Sequence, residues 1–325
     1  MKRIEVLEPG GPEKLVVADV PKPVPAAGQA LVRIFASGVN FIDIYFRTGL
    51  YKADRPITLG VEGAGTVEVV GAGVTDVTPG DRVAYAMARG SHAEYAVVPA
   101  SQLVKIPDGL DFTAAAAVLL QGMTAHYLTH STFNLKPGDS CLVHAAAGGT
   151  GVMLVQMAKM RGARVFGTVG NDEKARIARE SGADETIVYT TQDFEAEVKR
   201  LSGGRGVDVV YDSIGKTTFD KSLNCLRPRG TLALFGQSSG SVAPIDPAVL
   251  NAKGSLFLTR PNLAHYLLTR EELVWRARDV FEAVRSGRLK YRVHRTYPLA
   301  DIATAHRDLE SRQTSGKLML TITDR

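Results

Sequence analysis

In residues 1–120, short apolar runs alternate with polar positions and are cut repeatedly by turn signals. Strands are predicted over 4–7, 15–20, 30–35, 65–70, 82–86, 93–98 and 103–106, all rich in Val and Ile. Between them lie Pro9-Gly10-Gly11, residues 23–28, Gly71-Ala72-Gly73 and Pro79-Gly80-Asp81. So many short strands and tight turns predict a small β-barrel or sandwich rather than a parallel sheet.

From about residue 123 the period changes. Strands predicted over 141–145, 164–169, 186–189, 207–212 and 231–235 alternate with helices over 150–161, 172–181, 194–201 and 217–226. Alternating β and α with short connections implies right-handed crossovers and a doubly wound parallel sheet, with 255–259 as an edge strand. A helix over 270–286, a strand over 291–297, a helix over 300–311 and a strand over 317–322 complete the pattern. The predicted class is α/β: a Rossmann sheet inserted into, or flanked by, a mostly β domain.

Composition narrows this little. The chain has 325 residues, 45% hydrophobic and 22% charged, enough aliphatic surface for a sizeable core and too much for disorder. The longest purely apolar stretch, 114–120, is too short for a membrane helix. Glu5, Glu8 and the first turn interrupt any signal-peptide core, so a cytoplasmic location is expected. Cys141 and Cys225 are too few for a disulfide framework and read as buried hydrophobes, as does Trp275. The net charge of +5 is spread over dispersed Lys and Arg, which suggests an anionic small ligand more than a polyanion.

The strongest chemical signal is residues 142–151, Leu-Val-His-Ala-Ala-Ala-Gly-Gly-Thr-Gly, followed by an apolar helix. Ala146, Gly148 and Gly151 occupy the three small positions of a dinucleotide-binding turn. There the backbone approaches a pyrophosphate, and a helix N-terminus offers unpaired N–H groups. The strand–turn–helix context within further βα units favours a nicotinamide dinucleotide over a purely structural turn. At the end of the second strand, residues 168–174 read Thr-Val-Gly-Asn-Asp-Glu-Lys. No acid stands at the strand tip to hold a ribose diol, whereas Lys174 one turn on would welcome a 2′-phosphate; NADPH is expected rather than NADH. Asp172 and Glu173 read as capping and dipole partners.

A zinc site needs three or four Cys, His or carboxylate ligands around an open position. His126 and His130, at i and i+4, are the one suggestive pair, and they read as a partly exposed helix face. Hydride transfer without a metal is expected.

Residues 38–51 carry Asn40, Phe41, Asp43, Tyr45, Arg47, Gly49 and Tyr51 in a run that resembles the zinc-independent quinone oxidoreductases, the ζ-crystallin type, of the medium-chain dehydrogenase/reductase superfamily. Residues 59–65, 145–151, 210–215 and 235–240 match as well, and the resemblance extends from Ile4 to about Leu320. In zinc-dependent relatives a Cys stands at the position of Asn40 and a His at that of Val61. Near-relatives often carry Lys at the position of Gln121, so this chain departs from them there.

The resemblance implies a GroES-like catalytic domain from residues 1–122 and 263–325, a Rossmann domain from 123–262, and a cofactor in the cleft between them. Asn40, Asp43 and Thr124 would border the nicotinamide, and Gly148, Gly149 and Thr150 would meet the pyrophosphate. Gly170, Lys174, Tyr189 and Arg312 would surround the 2′-phosphate. Phe235, Gly236, Gln237 and Ser238, with Phe257, Leu258, Thr259 and Arg260, would hold the nicotinamide and its ribose. Asn40, Tyr45, Tyr51 and Gln121 would hydrogen-bond the oxygen developing on a quinone. Plainer readings stand beside these. Asn40 closes a turn, Tyr45 and Tyr51 pack, Asp43 is a structural acceptor, Lys174 is solvated, and Ser238 and Ser239 form a turn. The implied activity is NADPH-dependent quinone reduction by a homodimer joined through 255–259. The alternatives are reduction of an alkenal, enone or enoyl-thioester and, more distantly, RNA binding, for which no aromatic motif or basic tract is present.

Overall fold

The computed structural model describes residues 1–322; positions 323–325 of the expected catalytic domain lie outside the described residues. Two compact units are present, one formed by Met1–Met123 with the chain from Leu267 onward, the other by Thr124–Tyr266.

The first unit begins with β1 (Lys2–Val6), β2 (Leu15–Asp19) and β3 (Gln29–Val39), the helix α1 (Phe41–Arg47), then β4 (Ile57–Thr58), β5 (Glu62–Val70), β6 (Arg82–Ala86), β7 (Tyr95–Pro99) and β8 (Val104–Lys105). Strand β3 is its spine, pairing antiparallel with both β5 and β7. Ala30, Val32 and Ile34, at alternate positions of β3, meet Val67, Val83 and Val98 in one apolar cluster. A small sheet of order β2-β1-β4 stands apart from the main one.

The helix α2 (Phe112–Tyr127) follows. Its N-terminus is capped by Asp111, whose Oδ1 accepts the N–H of Ala114 at 2.7 Å. The run 114–120 that excluded a membrane span belongs to this helix, and residues 114–119 are all buried. A helix buried nearly all round, with its few polar residues buried too, gives no amphipathic stripe, so the sequence pattern did not declare it.

The second unit alternates β9 (Ser140–Val143), α3 (Gly149–Met160), β10 (Arg164–Val169), α4 (Asp172–Glu180), β11 (Glu185–Val188), α5 (Phe194–Leu201), β12 (Val207–Asp212), α6 (Phe219–Asn224), β13 (Leu226–Leu234), α7 (Ala248–Ala252) and β14 (Phe257–Thr259). The sheet is parallel, in the order β11-β10-β9-β12-β13-β14. Connections run outward in opposite directions from β9 and β12, which makes their C-terminal ends the switch point where α/β sheets bind ligands. Strand β13 starts earlier than expected because Leu226 pairs with Val207 across an irregular register; α6 is shortened accordingly.

The chain then returns through α8 (Arg270–Arg285), β15 (Val293–Pro298), α9 (Ile302–Glu310) and β16 (Lys317–Thr321). Strand β16 adds antiparallel to β3, setting Leu318 opposite Val39, and β15 lies parallel to β16. Two expectations fail here. Trp275 is 37% exposed rather than core, because the buried face of α8 is Leu273, Arg276, Ala277, Val280 and Phe281, and position 275 falls outside that stripe. His126 is buried, not on an exposed face; its ring stacks on that of His130 at 4.1 Å. Among the described residues, no helix is long and apolar enough to cross a membrane.

Candidate active site

In the second unit the glycine-rich turn connects β9 to α3. Helix α3 has Gly148 at its N-cap and no side chain capping it, so the N–H groups of its first turn point outward without an intrahelical partner. A Cβ on Gly151 would overlap Ala145 O, and one on Gly167 would come within 2.8 Å of Ala146 Cβ. These contacts hold α3 tightly against β9 and β10, and small residues are the condition for it. An uncapped helix start behind a close-packed turn is what a phosphate group fits.

A buried polar chain braces this turn from below. His144 pairs through Nδ1 with Thr168 Oγ1 at 2.8 Å and through Nε2 with Ser222 Oγ at 2.9 Å. Ser222 and Thr218 both donate to Asp212 Oδ2, while Asp212 Oδ1 accepts the N–H groups of Ile214 and Gly215. Burial pushes the His144 imidazole below its ordinary pKa, so it sits neutral in this chain. The chain ties the ends of β9, β10 and β12 to one another. Sequence reasoning did not single out His144, Thr168, Asp212 or Ser222 as a set; they meet through sheet order.

At the end of β10, Gly170 lies against Tyr189, whose Oη would stand 3.0 Å from a Cβ there. Lys174 lies one turn into α4, half-buried, and burial lowers its pKa. The cap of α4 is the side chain of Asn171, which accepts the N–H of Lys174 at 2.9 Å; Asp172 and Glu173 are exposed in the first turn. Residues 235–238 lie along 212–213: Phe235 N–H reaches Asp212 O at 2.8 Å and Ser238 N–H reaches Ser213 O at 3.1 Å. Phe257, Leu258 and Thr259 form the edge strand β14, with Arg260 directly after it. The second unit thus gathers Gly148, Gly149, Thr150, Gly170, Lys174, Tyr189, 235–238 and 257–260 onto strand C-termini and the turns that follow them. Arg312 belongs to the first unit, in a turn after α9 with φ +59°.

The first unit holds a second polar cluster. Asn40 is the N-cap residue of α1, in a capping box with Asp43, and its side chain reaches two further partners: Nδ2 donates to Glu62 Oε2 at 2.9 Å, and Oδ1 accepts from Lys317 Nζ at 2.7 Å. Lys317 Nζ also contacts Glu62 Oε2 at 2.6 Å. Asp43 is fully buried, with its two oxygens engaged by the N–H groups of Asn40 and Gly60, so it braces the loop around Asn40 and presents nothing outward. Tyr45 is buried and packs edge-on to Tyr51, ring centroids 5.2 Å apart, as the plainer reading of the two as packing aromatics expects. Gln121 in α2 is buried, and its Oε1 has no hydrogen-bond partner among the described residues. Sequence reasoning gave Lys317 and Glu62 no role in the site; the available signal was one lysine at the head of the apolar run 318–320.

Both cysteines are buried, and burial drives their thiols well above the ordinary range. Among the described residues, no group of three His, Cys, Asp or Glu side chains is placed to hold a metal ion.

Residues 26–108 match the model of the alcohol dehydrogenase GroES-like domain, and residues 149–272 that of the zinc-binding dehydrogenases. The chain is 46% identical to a 2-haloacrylate reductase of Burkholderia sp over 319 residues, which cover 96% of each chain. It is 44% identical to a quinone oxidoreductase of Pseudomonas aeruginosa over 321 residues, covering 98% of this chain and 99% of the relative. It superposes with a TM-score of 0.97 on the Escherichia coli quinone oxidoreductase complexed with NADPH, at 42% identity, covering 99% of this chain and 100% of that one. The described residues, with no group of three His, Cys, Asp or Glu side chains brought together and both cysteines buried, do not fit a zinc ion.

Proposed function

The chain belongs to the quinone oxidoreductase family of the medium-chain dehydrogenase/reductase superfamily, and from that premise we propose that it reduces quinones with NADPH, without a metal. That it is an NADPH-dependent oxidoreductase of this superfamily follows from full-length relatives and an NADPH-bound homologue. Bound NADPH supplies a hydride, two electrons with one proton, and one further proton from solvent completes quinone + NADPH + H⁺ → quinol + NADP⁺.

The observation that carries the cofactor assignment is the uncapped start of α3 behind a turn where Gly151 admits no side chain. In this reading Gly148, Gly149 and Thr150 bind the pyrophosphate through backbone N–H groups. Lys174, with Gly170, Tyr189 and Arg312, receives the 2′-phosphate. Residues 235–238 and 257–260 hold the nicotinamide ribose and carboxamide, with Asn40 and Thr124 bordering the ring. A quinone is already a good hydride acceptor, so orientation supplies most of what the residues contribute. Asn40, Tyr45, Tyr51 and Gln121 are the donors for the oxygen that gains charge. Residues 1–122 with 263–325 serve as the catalytic domain and 123–262 as the dinucleotide domain.

A second reading is reduction of an activated carbon–carbon double bond, favoured by the 46% identity to a 2-haloacrylate reductase. The same donors would then face the carbonyl or carboxyl oxygen conjugated to that bond. The exposed edge strand β14, with Phe257 62% exposed, supports a homodimer joined through it.

The deciding experiment is NADPH oxidation by chelator-treated protein with 1,2-naphthoquinone or 9,10-phenanthrenequinone, against 2-alkenals and 2-chloroacrylate, with NADH as parallel donor. Fast quinone turnover that prefers NADPH is the expected result. Turnover of the alkenes alone transfers the assignment to the second reading.

A further inference from the structure

We propose that Lys317 is a positioning residue that fixes the polarity of the Asn40 amide, so that Asn40 meets its ligand only as an N–H donor. The inference rests on the reading that Asn40 serves the reacting oxygen, and it assigns a role to a residue far from the motif around Asn40.

The geometry is specific. Lys317 is 1% exposed and Glu62 fully buried. The Lys317 ammonium lies 2.7 Å from Asn40 Oδ1 and 2.6 Å from Glu62 Oε2, and Asn40 Nδ2 lies 2.9 Å from that same carboxylate oxygen. Rotating the amide by half a turn would put its NH₂ against the ammonium and its oxygen against the carboxylate. Both contacts would become repulsive, so the orientation is set by chemistry. Oδ1 faces the Lys317 ammonium and, through the capping box, the first turn of α1, with the ammonium at 2.7 Å the charged partner, so the amide has only N–H to offer. One hydrogen goes to Glu62; the other has a long contact of 3.4 Å to Gly38 O, which a better acceptor would displace.

Packing is arranged around the ammonium. A Cβ on Gly38 would stand 2.6 Å from Lys317 Cε and 2.7 Å from Glu62 Oε2, so glycine there is the condition for the lysine to enter. The pairing of β16 with β3, which sets Leu318 opposite Val39, delivers Lys317 to the turn that holds Asn40. The ion pair is also incomplete: Glu62 Oε1 is buried with no hydrogen-bond partner among the described residues. A buried pair with an orphaned oxygen is poor value for stability, since apolar replacement of such pairs is often neutral or stabilising. Orienting Asn40 accounts for its presence.

The test is a cycle on the intact protein: Lys317→Met, Asn40→Ala, the two combined, and Lys317→Met/Glu62→Gln, each read for kcat, KM and Tm with whichever acceptor the wild type reduces. Lys317→Met is expected to lower kcat about 10- to 100-fold, somewhat less than outright deletion of an oxyanion donor, with KM for NADPH changed less than about twofold. In the Asn40→Ala background the same substitution is expected to leave kcat unchanged. Lys317→Met/Glu62→Gln removes the stranded charge; Tm should recover while kcat stays low. Recovery of kcat together with Tm, or an equal kcat loss with and without Asn40, overturns the proposal.

A wild type that reduces neither quinone nor activated alkene defeats the functional reading instead, and NMR then decides on Lys317. The Asn40 side-chain NH₂ signal, assigned by its loss in Asn40→Ala, should shift strongly in Lys317→Met. An unmoved signal means that the ammonium does not orient the amide.

Discussion

Asp43 Oδ2 accepts the backbone N–H of Asn40 at 2.8 Å, and its other oxygen accepts that of Gly60 at 3.1 Å. The carboxyl therefore clamps two loops of the first unit from a fully buried position, and burial pushes its pKa up from 3.8 to about 7. The folded protein thus holds this proton more tightly than the unfolded chain. The stability that protonated Asp43 lends is complete below about pH 4 and is lost as pH rises through 7, roughly 4 kcal/mol for the whole shift. Asp43→Asn should lower stability at pH 5 and flatten the fall between pH 5 and 8, read as Tm against pH. A parallel profile for variant and wild type would show that Asp43 is ionised throughout.

Lys174, one turn into α4, puts a cation near the tip where a ribose-binding acid would discriminate against a phosphate. Lys174→Glu should raise KM for NADPH about 10- to 100-fold, the worth of one hydrogen bond to a charged group, and leave KM for NADH nearly unchanged. Equal effects on the two cofactors in steady-state assays would remove the 2′-phosphate from this corner.

Gly151 leaves no room for a methyl group beside Ala145 O. Gly151→Ala should push α3 off the turn, cost roughly 1–3 kcal/mol of stability by overpacking, and weaken NADPH binding. Denaturant melts and fluorescence titration with NADPH report the two effects separately. Binding that survives a clear loss of stability would mean that the helix start is not the phosphate site.

Gln121 keeps a buried amide oxygen without a partner. Gln121→Met should raise the stability of the ligand-free protein by about 1 kcal/mol, because an unsatisfied acceptor is removed at nearly constant shape. The same variant should reduce kcat/KM for the acceptor. A lower Tm would reveal that the oxygen is satisfied, by a bound water for instance, and that Gln121 is structural.

The α/β class, the alternation of β9 to β13 with helices, and the place of the phosphate turn are all legible in the residue pattern. These features are local: strand and helix periods, and small residues at fixed spacing, are written in neighbouring positions. It also placed Asn40, Asp43, Tyr45 and Tyr51 in one short segment, which folds into α1 and the turn behind it. The helix α2 was invisible, since burial on all sides erases the periodic stripe, and Trp275 and His126 were misplaced because their exposure depends on which faces α8 and α2 bury. The company that Asn40 keeps depends on long-range pairing. Lys317 is 277 residues away along the chain and reaches it only because β16 pairs with β3. The His144–Ser222–Asp212 chain is likewise a product of strand order. Contacts of this kind carry no local signature, because the sequence around each partner is satisfied by an ordinary strand or turn whether or not the other arrives.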